Sequence, residues 1–203
     1  MGGFMNTSTS IRSTGLAVLA AGLWLLGPGS SVASDSAAIR AAVLKLADAI
    51  EKNDPTEATK QVEALKQASL LDLMDLFKLR TSEGLGVGPR PREIKPDGIE
   101  AKLRELALGK QPYDPKRLEA EAEHLARMAY IVAAVAESTQ GKPTARARKE
   151  ADSLRKWQQW SGAMRRSAVE LAGAVRAKDL QGIRAAALRV NASCSDCHAQ
   201  FRQ

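Results

Sequence analysis

Apolar side chains recur at intervals of three and four residues along most of the chain, and this spacing predicts α-helices. No useful stretch alternates apolar and polar residues with a period of two, so no strand is predicted. Capping residues and helix breakers mark the ends of the helical stretches. The predicted helices cover residues 35–53, Pro55 to Phe77, 98–108, Pro115 to Gly141, about Thr144 to Val175, and Asp179 to Phe201.

One segment interrupts the helical pattern. Residues 81–98 are rich in glycine and proline, which disfavour a helix, so we predict a long loop there. A loop of this length is unusual in a compact domain and is often functional. In the last two helices the apolar positions alternate by three and four, as in the seam of a helical bundle. The pattern therefore predicts an all-α protein.

The first 33 residues have the pattern of a signal peptide. The apolar run at 15–27 is about 13 residues long, too short to cross a roughly 30 Å hydrocarbon core as a helix. Gly-Pro-Gly and small residues follow it and suit cleavage after Ala33. We predict that residues 1–33 are removed and that the mature chain is exported to the periplasm, with an uncleaved membrane anchor as the alternative. No later stretch is long enough to span a membrane.

Composition narrows the function classes. Hydrophobic residues make up 44% of the chain and charged residues 26%, which is typical of a globular protein, while aromatic residues at 4% argue against a β-sandwich or barrel. The formal net charge is +7, but no run of consecutive cations stands out. This distribution argues against nucleic-acid binding and favours docking to an acidic partner surface.

The candidate chemistry lies in five residues near the C-terminus, Cys194-Ser-Asp-Cys-His198. Two thiols three residues apart on one helical turn can each add to a vinyl group of the same porphyrin. The imidazole of the next residue can then bind the iron from the same side. This arrangement is the attachment pattern of c-type haem and predicts one covalent haem c, held by Cys194 and Cys197, with His198 as an iron ligand.

Three other uses of the motif remain open. A thioredoxin-like redox pair normally lies at a helix N-terminus next to a βαβ unit, which an all-helical chain does not offer. A zinc site needs about four ligands, and the only other strong nitrogen or sulfur donor is the distant His124. A structural disulfide between cysteines three residues apart in a helix would be strained. Export supports the haem interpretation, because bacteria attach c-type haem outside the cytoplasm.

The residues around the motif resemble a known family. Residues 150–203 resemble the last two helices of class II c-type cytochromes, the cytochrome c′ and c-556 group. The resemblance extends nearly throughout 177–202 and includes the attachment of haem close to the C-terminus. Gln111-Pro-Tyr-Asp-Pro115 and the helix after it are similar to the start of that family's second helix.

The resemblance implies an antiparallel four-helix bundle over residues 34–203. The chain departs from the family pattern in having an extra N-terminal helix at 35–53, the glycine- and proline-rich loop at 81–98 and the short helix at 98–108. Class II bundles often form homodimers, but no residue of this chain specifies one.

The resemblance also frames the question of the sixth iron ligand. In the family, the first bundle helix covers the distal face of the haem. Matching Lys66-Gln67 to an Arg-Gln pair of that helix places Leu70 over the iron, and a shift of one turn places Met74 there. A methionine thioether is a competent axial ligand, so Met74 is the predicted sixth ligand and implies an electron carrier. Leu70 over the iron would instead imply a five-coordinate haem that binds NO or CO.

Two more residues are candidates through the resemblance. Lys66 is a candidate partner for a haem propionate, and Arg202 for tuning the proximal imidazole. No distal histidine or arginine pair suited to O–O cleavage is identified, so no enzymatic activity is predicted. The predicted function is electron transfer with an acidic redox partner, without nucleic acid and without a membrane span after cleavage.

Overall fold

The computed structural model describes residues 36–110 and 113–202. The predicted signal peptide and its cleavage site lie outside these residues. The described part is all-α, and none of its helices is long and apolar enough to cross a bilayer. Its helices are α1 (Ser36–Glu51), α2 (Pro55–Ala64), α3 (Leu70–Asp75), α4 (Ile99–Leu108), α5 (Pro115–Gln140), α6 (Ala145–Arg148), α7 (Ala151–Arg176) and α8 (Leu180–Phe201), with a short 3₁₀ helix at Arg80–Ser82.

The predicted helix from Pro55 to Phe77 is wrong in one respect, because it is broken into α2 and α3. The chain leaves α2 at Leu65 and starts again with Ser69 as N-cap. The Ser69 hydroxyl accepts a hydrogen bond from the Asp72 amide, and the Asp72 carboxylate accepts one from the Ser69 amide. This capping box starts a new helix at Leu70, although the apolar stripe continues through the break. A similar break separates α6 from α7, where a single helix was predicted.

Three long helices form the frame of the bundle. Antiparallel contacts join α5 to α7 and α7 to α8. The short helix α4 packs against α8 and reaches α5 through side chains, so α4, α5, α7 and α8 enclose one apolar core. Helix α1 packs against α5 and adds its apolar face to the same core, with the Asp48 carboxylate paired to Arg127. The predicted helical bundle with an extra N-terminal helix is confirmed.

A half-buried ion pair between Arg80 and Asp97 closes the glycine- and proline-rich loop. The Arg80 guanidinium lies 3.2 Å from the Asp97 carboxylate and donates to the Gly88 carbonyl at 2.8 Å. The Asp97 carboxylate also accepts the Val87 amide at 3.0 Å. Gly86 has a φ of +73°, and a Cβ there would lie 2.4 Å from the Arg80 guanidinium, so the loop needs glycine at this position.

A second polar cluster anchors the same loop to α4 and α5. The Lys102 side chain is fully buried and donates to the Lys95 carbonyl and to the Glu105 carboxylate. Arg117 bridges Glu105 at 2.8 Å and Glu121 at 3.0 Å. Burial lowers the pKa of Lys102, even though both carboxylates favour its charged form. The C-terminal part of the loop is thus tied to α4 and α5 through the Lys95 carbonyl.

We expect Asp97→Asn to destabilise the fold by about 2 kcal/mol, because it removes a charged acceptor from several hydrogen bonds. Burial alone would raise the pKa of Asp97, but the Val87 amide and the Arg80 guanidinium hold that pKa below its ordinary value of 3.8. A depressed carboxylate pKa stabilises the fold above the ordinary pKa, and that stabilisation is lost as the pH falls through the folded-state pKa. Urea denaturation of wild type and variant from pH 7 down to pH 3 measures both effects.

The matched control is Glu93→Gln in the same loop. Glu93 pairs with Arg90 at an exposed position, where solvent screens an ion pair and its loss costs little stability. A cost for Asp97→Asn no larger than that of the control would contradict the role given to the Arg80–Asp97 pair.

Candidate haem-attachment site

The Cys-x-x-Cys-His motif lies in the last two turns of α8. Cys194 and Cys197 are three residues apart, which separates them by about 4.5 Å along the helix axis and keeps them on one face. Both are half-buried and both are free thiols. Cys194 packs against the main core and Cys197 against a second group of apolar residues. The motif therefore lies near the C-terminal end of a helix, whereas a thioredoxin-like pair lies at a helix N-terminus.

The surroundings of the thiols are apolar. The Cys194 Sγ lies 3.9 Å from the Met164 Sδ of α7. Burial raises the pKa of Cys194 to about 12, with a smaller contribution from the neighbouring Cys197 and from Glu100 of α4. Burial also raises the pKa of Cys197 to about 11. Both thiols are consequently protonated at neutral pH, in the kind of apolar surroundings that the face of a porphyrin requires.

A group of aromatic and apolar side chains, here named the aromatic cluster, lies beside Cys197. The Phe201 ring packs edge-on against Trp157 and Trp160 of α7, with ring centroids 5.4 Å and 5.8 Å apart. The Trp157 indole also donates to the Thr139 carbonyl at the end of α5, at 3.0 Å. The members of the aromatic cluster are Ala147, Trp157 and Phe201, with Leu70, Trp160 and Cys197 packed against them.

His198 follows the cysteines on the exposed side of α8. Within the described chain, no hydrogen bond or ion pair occupies its ring nitrogens, which leaves the imidazole available to a metal. Its backbone carbonyl accepts the Arg202 amide at 3.1 Å, which ends the helix. The Arg202 side chain is exposed, and its proposed effect on the imidazole stays a prediction.

The three residues predicted for the distal side of the haem lie in different surroundings in the structure. Leu70 packs against the aromatic cluster, together with Cys197. Met74 is half-buried and packs against the main core instead. Lys66 is exposed, and its ammonium group pairs with Glu63 at 3.0 Å. Of these three residues, the structure thus brings only Leu70 into the cluster that also contains Cys197.

A family model described as Cytochrome C' matches residues 100–202, which is just over half of the chain. The chain belongs to the cytochrome c′ family. The match ends at Arg202, the residue after α8, and includes the whole Cys-x-x-Cys-His motif. The protein is therefore a haem-binding c-type cytochrome whose haem c is covalent and contains iron. No curated protein and no solved structure matches the chain.

The extent of the match identifies the part of this cytochrome that the family shares. Residues 100–202 contain α4 almost entirely and all of α5 to α8, the helices that enclose the core. Helices α1 to α3 and the loop at 81–98 lie outside the match. Lys66, Leu70 and Met74 are in that outer part, so their placement over a haem rests on the resemblance of the sequence alone and stays a prediction.

The side chains of the motif fit a covalently bound haem. Two reduced thiols on one helix face can form two thioethers, and the free imidazole of His198 can serve as an axial ligand. The adjoining aromatic cluster offers flat apolar surfaces, as a porphyrin needs. When bound, haem supplies an iron centre that changes its oxidation state by one electron.

Sequence reasoning missed several neighbours of the motif. Met164 and Trp157 lie at apolar positions of α7, but their contacts with Cys194 and Phe201 depend on the register between α7 and α8, which spacing along one helix does not show. Glu100 gave no signal, because α4 is far from the motif in the sequence.

Proposed function

We propose that this cytochrome is an exported monohaem electron carrier whose haem is attached through Cys194 and Cys197, with His198 as the proximal iron ligand. The observation that carries the proposal is the arrangement on α8, where two half-buried reduced thiols face apolar side chains and a free imidazole follows them. Each thiol adds across one vinyl group, so that a carbon–sulfur bond forms and the thiol proton ends on the neighbouring vinyl carbon. Neither thiol needs an oxidant for this addition.

The surface beside the motif suits an acidic redox partner. A cleft of about 610 Å³ lies next to the last turns of α8, and Arg146, Lys149 and Gln200 are among the residues that line it. Arg146, Arg148 and Lys149 are exposed and form no ion pair with the described residues. Most other arginines of the bundle, such as Arg117, are paired with carboxylates. Unpaired cations next to the haem would attract an acidic surface and speed the encounter.

Gas binding is the second candidate function, and one observation favours it. Leu70 packs against the aromatic cluster beside Cys197, whereas Met74 packs into the main core. A leucine has no atom that can bind iron, so a haem covered by Leu70 would keep one coordination position open. Such an iron would bind CO or NO in its ferrous state.

The visible spectrum of the reduced protein, with and without CO, separates the two candidates. The protein is produced in a host that matures c-type cytochromes. For an electron carrier with a protein sixth ligand, we expect a sharp low-spin α band that CO leaves unchanged. A broad high-spin spectrum that shifts with CO would overturn the electron-carrier assignment and support gas binding.

Replacing the predicted sixth ligand tests directly whether Met74 binds the iron. We expect Met74→Ala to convert the low-spin spectrum to a high-spin, CO-sensitive one, because the thioether ligand is lost. Leu70→Ala lies four residues away on the same helical face and is the matched control, so its spectrum should remain low-spin. An unchanged spectrum for Met74→Ala would refute Met74 as the ligand.

A further inference from the structure

Lys142 has a position that the predicted site does not explain. It lies just after α5, where its side chain is half-buried and donates to the Lys66 backbone carbonyl at 2.7 Å. No carboxylate of the described residues pairs with its ammonium group. Burial lowers the pKa of Lys142, and no neighbouring charge compensates for that burial. The ammonium group is partly exposed at this contact and has no anionic partner among the described residues, so an anion can approach it from solvent.

The contacts around Lys142 lead directly to the haem motif. Its backbone amide and the Trp157 indole both donate to the carbonyl of Thr139, each at 3.0 Å. Trp157 packs against Phe201 in the aromatic cluster, and Cys197 packs against the same cluster. On its other side, Lys142 holds the segment that continues into Leu70, also a neighbour of the aromatic cluster. Lys142 is therefore at the same end of the bundle as Cys197.

We propose that Lys142 binds a propionate of the covalent haem and so orients the haem in the bundle. This inference rests on the proposed haem attachment. A propionate is an anion at neutral pH and would supply the counter-charge that Lys142 lacks, in a charge-assisted hydrogen bond. The sequence pointed to Lys66 for this role, but the Lys66 ammonium is exposed and paired with Glu63. Only the backbone carbonyl of Lys66 takes part, by holding the Lys142 side chain in place.

Three charge-removing variants of the full-length holoprotein test the proposal: Lys142→Gln, Lys66→Gln and Lys149→Gln. Lys66→Gln tests the alternative partner, and Lys149→Gln removes an exposed cation at the same end of the bundle. The readouts are the propionate bending bands in the resonance Raman spectrum and the midpoint potential. We expect Lys142→Gln alone to shift the propionate bands. Its midpoint potential should also fall furthest, because loss of a nearby positive charge favours the ferric form.

A fourth variant, Lys142→Arg, keeps the cation and should retain the wild-type propionate bands. Normal haem incorporation with unshifted bands in Lys142→Gln would overturn the inference, and so would a shift of the bands in Lys66→Gln instead. These results would leave the proposed function intact. A wild-type protein without covalent haem would overturn the proposed function and this inference with it.

Discussion

The double variant Cys194→Ser, Cys197→Ser is expected to carry no covalently bound haem, whereas the wild-type protein carries one. A serine hydroxyl does not form a thioether, so neither vinyl group can be attached. The substitution changes one atom per side chain, and a serine hydroxyl in a helix can donate to the carbonyl four residues earlier, as Ser193 does to Arg189, so the bundle should still fold. Haem staining after denaturing electrophoresis, with both proteins produced in a host that matures c-type cytochromes, measures the loss.

The control for this prediction lies between the two cysteines. Ser195 is exposed on the same helical turn, and Ser195→Ala should retain full haem attachment. Each single cysteine variant should retain at most one thioether. Covalent haem in the double variant would show that another residue forms the bond and would refute the assigned site.

The variant Trp157→Ala is expected to destabilise the protein by about 3–5 kcal/mol, the usual cost of truncating a large buried aromatic side chain. Trp157 is 3% exposed, packs edge-on against Phe201 and donates its indole N–H to the Thr139 carbonyl. Its loss would open a cavity in the aromatic cluster and leave the Thr139 carbonyl with one donor fewer. Urea denaturation monitored by far-UV circular dichroism gives the free energy of unfolding.

Two milder substitutions separate packing from hydrogen bonding. Trp157→Phe keeps an aromatic ring but removes the indole donor, so its cost should be clearly below that of Trp157→Ala. Trp160→Ala removes the other, only half-buried tryptophan that contacts Phe201, and should also cost less. If Trp157→Ala destabilised the protein by less than Trp160→Ala, the central place of Trp157 in the aromatic cluster would be wrong.

Local signals allowed most of the helices to be predicted from the sequence. In α5, an N-cap at Asp114, a proline at the first position and Gly141 after the last turn agree with the apolar stripe between them. Around Ser69 the signals conflicted, because the apolar stripe continues through the break. There the capping box of Ser69 and Asp72 ends one helix and begins another. Apolar spacing alone therefore predicted one continuous helix at a place where a cap inside the apolar stripe divides the chain into two helices.

The residues of the candidate site also differ in how far the sequence predicts them, because some are neighbours in the sequence and others meet only in the folded chain. Cys194, Cys197 and His198 are neighbours in the sequence, so their spacing alone predicted the attachment chemistry. Lys142 could not be found by spacing, because its role depends on the contact of the end of α5 with the segment before α3. Met74 and Leu70 share one apolar stripe, but α3 is a separate short helix, so the sequence could not determine which of them faces the motif.

The mass of one tryptic peptide tests the central claim most directly. Cleavage after Arg189 and Arg202 releases residues 190–202, which contain the whole Cys-x-x-Cys-His motif. From wild-type protein matured with haem, we expect this peptide to carry the added mass of one haem. A peptide of unmodified mass, or one that has lost two hydrogens to a disulfide, would contradict haem attachment at Cys194 and Cys197.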